Sequence, residues 1–232
     1  MAINNLLNAR RGRRHEPQPP LRERHVSRWP AILALLTLGG LYAALPPRMT
    51  VGPRWLFLAL EAPVLFFLAV VRHADLRISP HVVRVIAVAL LSLATLLIAV
   101  SVETLVTTLV VGPKFTAQDL LSSAAGLWSA NVVIFALWYW ELDRGGPQRR
   151  RRPDHPSPDF LFPQQSGPDI GPPSWSPSFV DYLFVAFTNA TAFSPTDTLP
   201  LTRRVKVLMM VEGFTSLLLV VILAARAINT LH

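Results

Sequence analysis

The chain has no cysteine in 232 residues, which excludes disulfide bridges, zinc–thiolate centres and cysteine nucleophiles together. Charge is scarce too, at 16% of residues, and lysine is nearly absent, with only Lys114 and Lys206. The arginine bias is what a GC-rich bacterial genome would produce. Enzyme signatures are missing: there is no Gly-x-Ser-x-Gly and no helix with paired aspartates. The six histidines, at positions 15, 25, 73, 81, 155 and 232, fall in tails, loops or at a helix edge. The expectation is a protein that is not an enzyme, with no cofactor and no metal.

What the chain has in quantity is apolar residues, 51% of the total, gathered in blocks. A membrane-spanning helix needs about 20 mostly apolar residues. The stretches Trp29 to Leu45, Trp55 to Val71, Val82 to Leu109, Leu120 to Trp140 and Val205 to Leu231 meet or approach that length. The expected fold class is an all-α integral membrane protein with about five transmembrane helices plus a short re-entrant, or sixth, helix. With the N-terminus inside, 18 of the 22 Lys and Arg lie on the cytoplasmic side and 4 outside. That imbalance follows the positive-inside rule, so the net charge of +8 reads as a topology signal and not as a nucleic-acid surface. The expected location is the bacterial inner membrane, multi-pass, with a cytoplasmic N-terminus.

Four regions follow. Residues 1–28 are a basic cytoplasmic tail and 29–140 a four-helix transmembrane bundle. Residues 141–177 form a Pro-rich cytoplasmic connection, and 178–232 hold a short helix, a broken segment and a final span. Small residues at four-residue spacing, Gly39 with Ala43 and Ser122 with Gly126 and Ala130, suit close helix packing in lipid. Trp138, Tyr139 and Trp140 read as an interfacial aromatic belt. Phe160, Phe162 and Trp175 are more apolar than a plain linker needs, which implies that part of the connection lies against the membrane or the bundle.

Ser178 with Asp181 three residues later is a capping-box-like start. The helix it opens should run to about Phe193, roughly 22 Å, too short for a hydrocarbon core of roughly 30 Å. Ser194-Pro-Thr-Asp-Thr-Leu-Pro-Leu-Thr202 then breaks helicity before the last long helix. A re-entrant loop has this pattern, as does a thin sixth span; under six spans the charge count becomes 16 inside and 6 outside, so charge does not choose.

Three segments carry a resemblance: Asp181-Tyr-Leu-Phe-Val-Ala-Phe-Thr-Asn-Ala-Thr, then Asp197-Thr-Leu-Pro200, then Met210-Val-Glu-Gly-Phe-Thr-Ser-Leu-Leu-Leu219. Together they resemble the pore helix, filter exit and inner helix of two-helix bacterial potassium channels, over about a quarter of the chain. Where that family has its Gly-Tyr-Gly filter, this chain reads Ala192-Phe-Ser-Pro-Thr-Asp197. The C-terminal half is also similar to predicted bacterial integral membrane proteins of unknown function, which implies no activity.

The pore-loop resemblance implies an ion pathway lined by Thr188, Asn189, Thr191, Ser194 and Thr196, with Asp197 at its mouth and Glu212 bracing it. Glu61, Glu103 and Glu212 are carboxylates inside apolar stretches, where each needs a partner, a proton or water. The expected function is a channel-like protein in the lipid bilayer that passes a monovalent cation or proton as a homo-oligomer. The alternative is a non-conducting membrane scaffold or assembly protein with a pore-like fold.

Overall fold

The structure is a computed structural model that describes residues 29–47, 50, 53–62, 79–111, 116–151, 156–167, 175–191 and 197–229. The chain is mostly helical. Helix α1 spans Trp29–Ala44, α2 Pro80–Val111, α3 Ala117–Leu142, α4 Phe179–Thr191 and α5 Arg203–Asn229. Residues 56–62 form a further helical segment. Three helical stretches, His81–Thr108, Gln118–Gly145 and Arg203–Ala225, are long and apolar enough to cross a membrane. Helix α1 is apolar but has only 16 residues. The second expected span is described only as far as residue 62, and its remainder lies outside the described residues.

Helix ends follow local chemistry. The Ser79 hydroxyl accepts from the His81 amide at 3.3 Å at the start of α2. At the start of α3, Thr116 accepts from the Asp119 amide at 3.1 Å while Asp119 accepts from the Thr116 amide at 3.2 Å, a complete capping box. Before α4, the Ser178 amide and hydroxyl both donate to the Asp181 carboxylate, at 2.6 and 2.7 Å. The carboxylate reaches back as the sequence predicts, and the helix is described to Thr191; the expected end at Phe193 lies outside the described residues.

Helix α3 is the hub, packing against α1, α2, α4 and α5. Its buried face carries Leu120, Ala124, Leu127, Ala130, Ile134 and Leu137, all at most 3% exposed. Ser122 is exposed instead, so the expected Ser122-Gly126-Ala130 seam holds at Ala130 and fails at its first member. Gly39 does mark a close approach: a Cβ there would stand 2.5 Å from Leu58 and 2.6 Å from the Glu61 carboxylate. Leu96, Phe184, Met210, Phe214, Leu217 and Val221 face outward and give the bundle an apolar exterior.

The Pro-rich connection packs on one end of this bundle. Phe160 is fully buried and Phe162 nearly so. Phe160 meets Tyr139 edge-on at 5.2 Å and Tyr182 at 6.0 Å, and Phe162 contacts Tyr182 at 5.4 Å and Trp175 at 5.5 Å. Strand β1, Phe160–Leu161, pairs antiparallel with strand β2, Leu199–Pro200. That pairing fixes the path of the chain: α4 leaves the connection, and the segment after it returns to the same connection before α5 begins.

The belt assigned to Trp138, Tyr139 and Trp140 is only partly on the outside. Tyr139 is fully buried and Trp140 is 3% exposed. Successive helical residues point about 100° apart, so three in a row cannot share one face.

Candidate functional site

Two polar clusters lie inside this architecture. One is centred on Glu212 of α5, which is fully buried. Its Oε2 accepts from the Tyr139 hydroxyl of α3 at 2.5 Å and from Asn189 Nδ2 of α4 at 2.6 Å. Asn189 also donates to the Met209 carbonyl at 2.9 Å. Further along α3, Asn131 donates to the Ser216 hydroxyl at 2.8 Å and the Glu212 carbonyl at 3.3 Å. One carboxylate thus joins three helices, while its other oxygen, Oε1, has no hydrogen-bond partner among the described residues.

The second cluster lies where the connection meets the bundle. Asp143 Oδ1 accepts from the Asp159 amide at 2.8 Å, and its Oδ2 accepts from the Tyr182 hydroxyl at 2.6 Å. Arg150, 6% exposed, donates to the Trp140 carbonyl at 2.7 Å. Its guanidinium stacks over Trp140 and Tyr182, 4.8 and 4.9 Å from the ring centres, with Asp143 at 3.7 Å. Asp159 is fully buried and takes both arms of Arg204, at 2.8 and 2.6 Å, plus the Thr202 hydroxyl at 2.7 Å and the Arg144 amide at 3.2 Å. Burial alone would raise the Asp159 pKa, but the hydrogen bonds from Arg204 and Thr202 and the Arg204 charge outweigh it and hold the carboxyl below the usual aspartate range. This cluster locks both ends of the 179–202 segment to one place.

Of the residues expected to line a pathway, the structure unites Asn189 and Glu212. Thr188 and Thr191 turn their hydroxyls back to α4's own carbonyls, Phe184 and Val185 for the first, Phe187 and Thr188 for the second. Asp197 is exposed and takes no part in the Glu212 cluster. Ser194 and Thr196 lie outside the described residues. Glu61 is fully buried against Gly39, and neither of its oxygens has a hydrogen-bond partner among the described residues. Glu103 is exposed on the outer face of α2.

Sequence reasoning missed Tyr139, Asn131, Ser216, Asp143 and Asp159 as parts of these clusters. Asn131 carried a usable signal, an amide in an apolar run, and the others did not. Arg204 pairs with Asp159 at the bundle end, about two turns of α5 away from Glu212. No protein-family model, curated protein or solved structure matches the chain.

Proposed function

We propose that the chain is a five-span membrane protein whose residues 178–202 form a re-entrant, pore-loop-like module. In this reading it passes a monovalent cation or proton as a homo-oligomer, with Glu212 on the path and the bundle end carrying Arg149 on the cytoplasmic side. The observation that carries the reading is the Glu212 carboxylate: fully buried on a helix able to span a membrane, held through one oxygen and unsatisfied at the other among the described residues. Carboxylates at membrane depth are costly and mark ion or proton pathways by default. The short helix supports it as well, because the C-terminal end of a half-helix carries a partial negative charge that favours a cation.

A second reading, a non-conducting membrane scaffold, is favoured by one observation: Thr188, Thr191, Tyr139 and Asn189 direct their polar groups to partners within the chain. Cation and proton flux through liposomes reconstituted with the full chain separates the two. Channel function predicts flux that falls, or changes its pH dependence, in Glu212→Gln while oligomeric state is kept. A silent wild type whose Glu212→Gln variant loses assembly supports the scaffold.

A further inference from the structure

Glu61 is a buried acid that the Glu212 cluster does not use. It is fully buried, neither of its oxygens has a hydrogen-bond partner, and no basic side chain lies within ion-pair distance of it among the described residues. The chain leaves room for it on α1. A Cβ at Gly39 would stand 2.6 Å from Glu61 Oε2 and 2.5 Å from Leu58 Cδ2, so the carboxyl sits in a notch that a glycine keeps open.

No neighbouring element turns a charge toward this notch. Helix α1 has no charged residue, and its one titratable group, Tyr42, packs its ring 6.0 Å from Phe57. Ala94, Leu97 and Ile98 of α2 border the same gap as Tyr42 and Phe57. The titratable groups of α2 lie elsewhere, His81 and Arg84 in its first two turns and Glu103 on its outer face. Helices α3 and α4 also touch α1, but Asp119 is in the α3 cap, Tyr139 donates to Glu212, and Glu141 lies beside Gly146. On α4, Asp181 accepts from Ser178 and Tyr182 donates to Asp143. Arg54, which precedes the 56–62 segment, is exposed.

We propose that Glu61 is a proton-binding site separate from the Glu212 cluster: an acid that is neutral while seated against Gly39, and that leaves this seat with the 56–62 segment when it releases its proton. An ionised carboxylate without a partner is too costly to keep in an apolar interior, and adding a proton removes that cost. A metal cation would need several oxygen ligands around it, and Gly39 and Leu58 bring no side-chain oxygen to the notch, whereas a proton needs only the carboxyl itself. The inference rests on the membrane reading of α1 and the 56–62 segment, not on conduction through Glu212.

Exposed Leu60 and Ala62 flank Glu61, so a lipid-soluble reagent can approach the segment from outside the bundle. Dicyclohexylcarbodiimide reports the neutral acid. The carboxyl proton passes to one nitrogen and the carboxyl oxygen bonds to the central carbon as one C=N bond becomes single; the acyl group then migrates to nitrogen, giving a stable N-acylurea. Full-length protein in phosphatidylcholine liposomes is treated across a series from acidic to alkaline buffer, and the adduct is located by peptide mass spectrometry. Glu61 should be labelled in acidic buffer and several-fold less in alkaline buffer, and Glu61→Gln should lose this adduct. Peptide mapping of the wild type identifies the labelled residue even if the variant does not fold. An unlabelled Glu61 overturns the proposal, as does labelling that is equal at every pH, which would make it a permanently neutral structural acid. Equally fast labelling by a water-soluble carbodiimide overturns it by placing the carboxyl in water. Protection by sodium or potassium at fixed pH overturns it in favour of a metal-cation site. Flux is read separately with Glu212→Gln, so a silent channel leaves the labelling result standing.

Discussion

Glu212 and Asp159 are both fully buried carboxylates, yet their surroundings differ in kind. Asp159 meets a guanidinium fork, a hydroxyl and an amide, whereas Glu212 meets one phenol and one carboxamide. Asp159 therefore carries its charge as part of the architecture. Its native pKa is lowered from 3.8, so the stability it supplies is complete above that ordinary value and is lost as pH falls through the lower native one. Asp159→Asn should cost about 2 kcal/mol, the scale of hydrogen bonds to a charged group. The variant should also lose part of the acid dependence of unfolding, read from thermal midpoints across an acid pH series. Tyr139→Phe removes one donor from Glu212 and leaves Asn189 in place. It should cost about 1 kcal/mol, the scale measured for polar contacts between membrane helices. If Glu212 lies on a path, flux in this variant changes more than that stability loss accounts for.

At the scale of elements, α4 is the unusual member. Its thirteen described residues rise about 20 Å, short of a hydrocarbon core of roughly 30 Å, and both ends of the segment it begins return to the connection through Asp143, Asp159 and the β1–β2 pair. Close packing of α1 on the 56–62 segment depends on a single missing side chain. Gly39→Ala puts a methyl group 2.5 to 2.6 Å from Leu58 and Glu61 and should cost about 1–3 kcal/mol through overpacking. Gly40→Ala meets nothing within 4 Å and should be neutral or stabilising by about 0.5–1 kcal/mol, since alanine is the better helix former. Paired thermal unfolding of the two variants in one detergent reads the difference directly.

For the whole molecule, the path of the chain places the start of α5 at the bundle end that carries the connection, and its C-terminus at the other. Under the proposed topology, reporters at the N-terminus and at residue 151 are cytoplasmic and one after residue 232 is periplasmic. Cytoplasmic reporters at all three sites would mean that residues 179–202 cross the membrane.

Much of this was legible beforehand. Long apolar runs specify helices because a backbone in hydrocarbon must satisfy its own hydrogen bonds, and that requirement is local. Caps are local as well, so Ser178 and Asp181 announced the start of α4. Glu212 stood out because a carboxylate in an apolar run needs a partner, a proton or water, and Asn189 through the pore-loop resemblance. Which partner each found was a different matter. Tyr139 is 73 residues from Glu212, and Asp159 lies 45 from Arg204. Such pairings depend on helix rotation and on where the connection docks, quantities set by packing many side chains at once. The sequence by itself determined the long apolar helices and the capped start of α4. Only the tertiary structure decided that Tyr139 turns inward and that the Pro-rich connection holds both ends of the 179–202 segment.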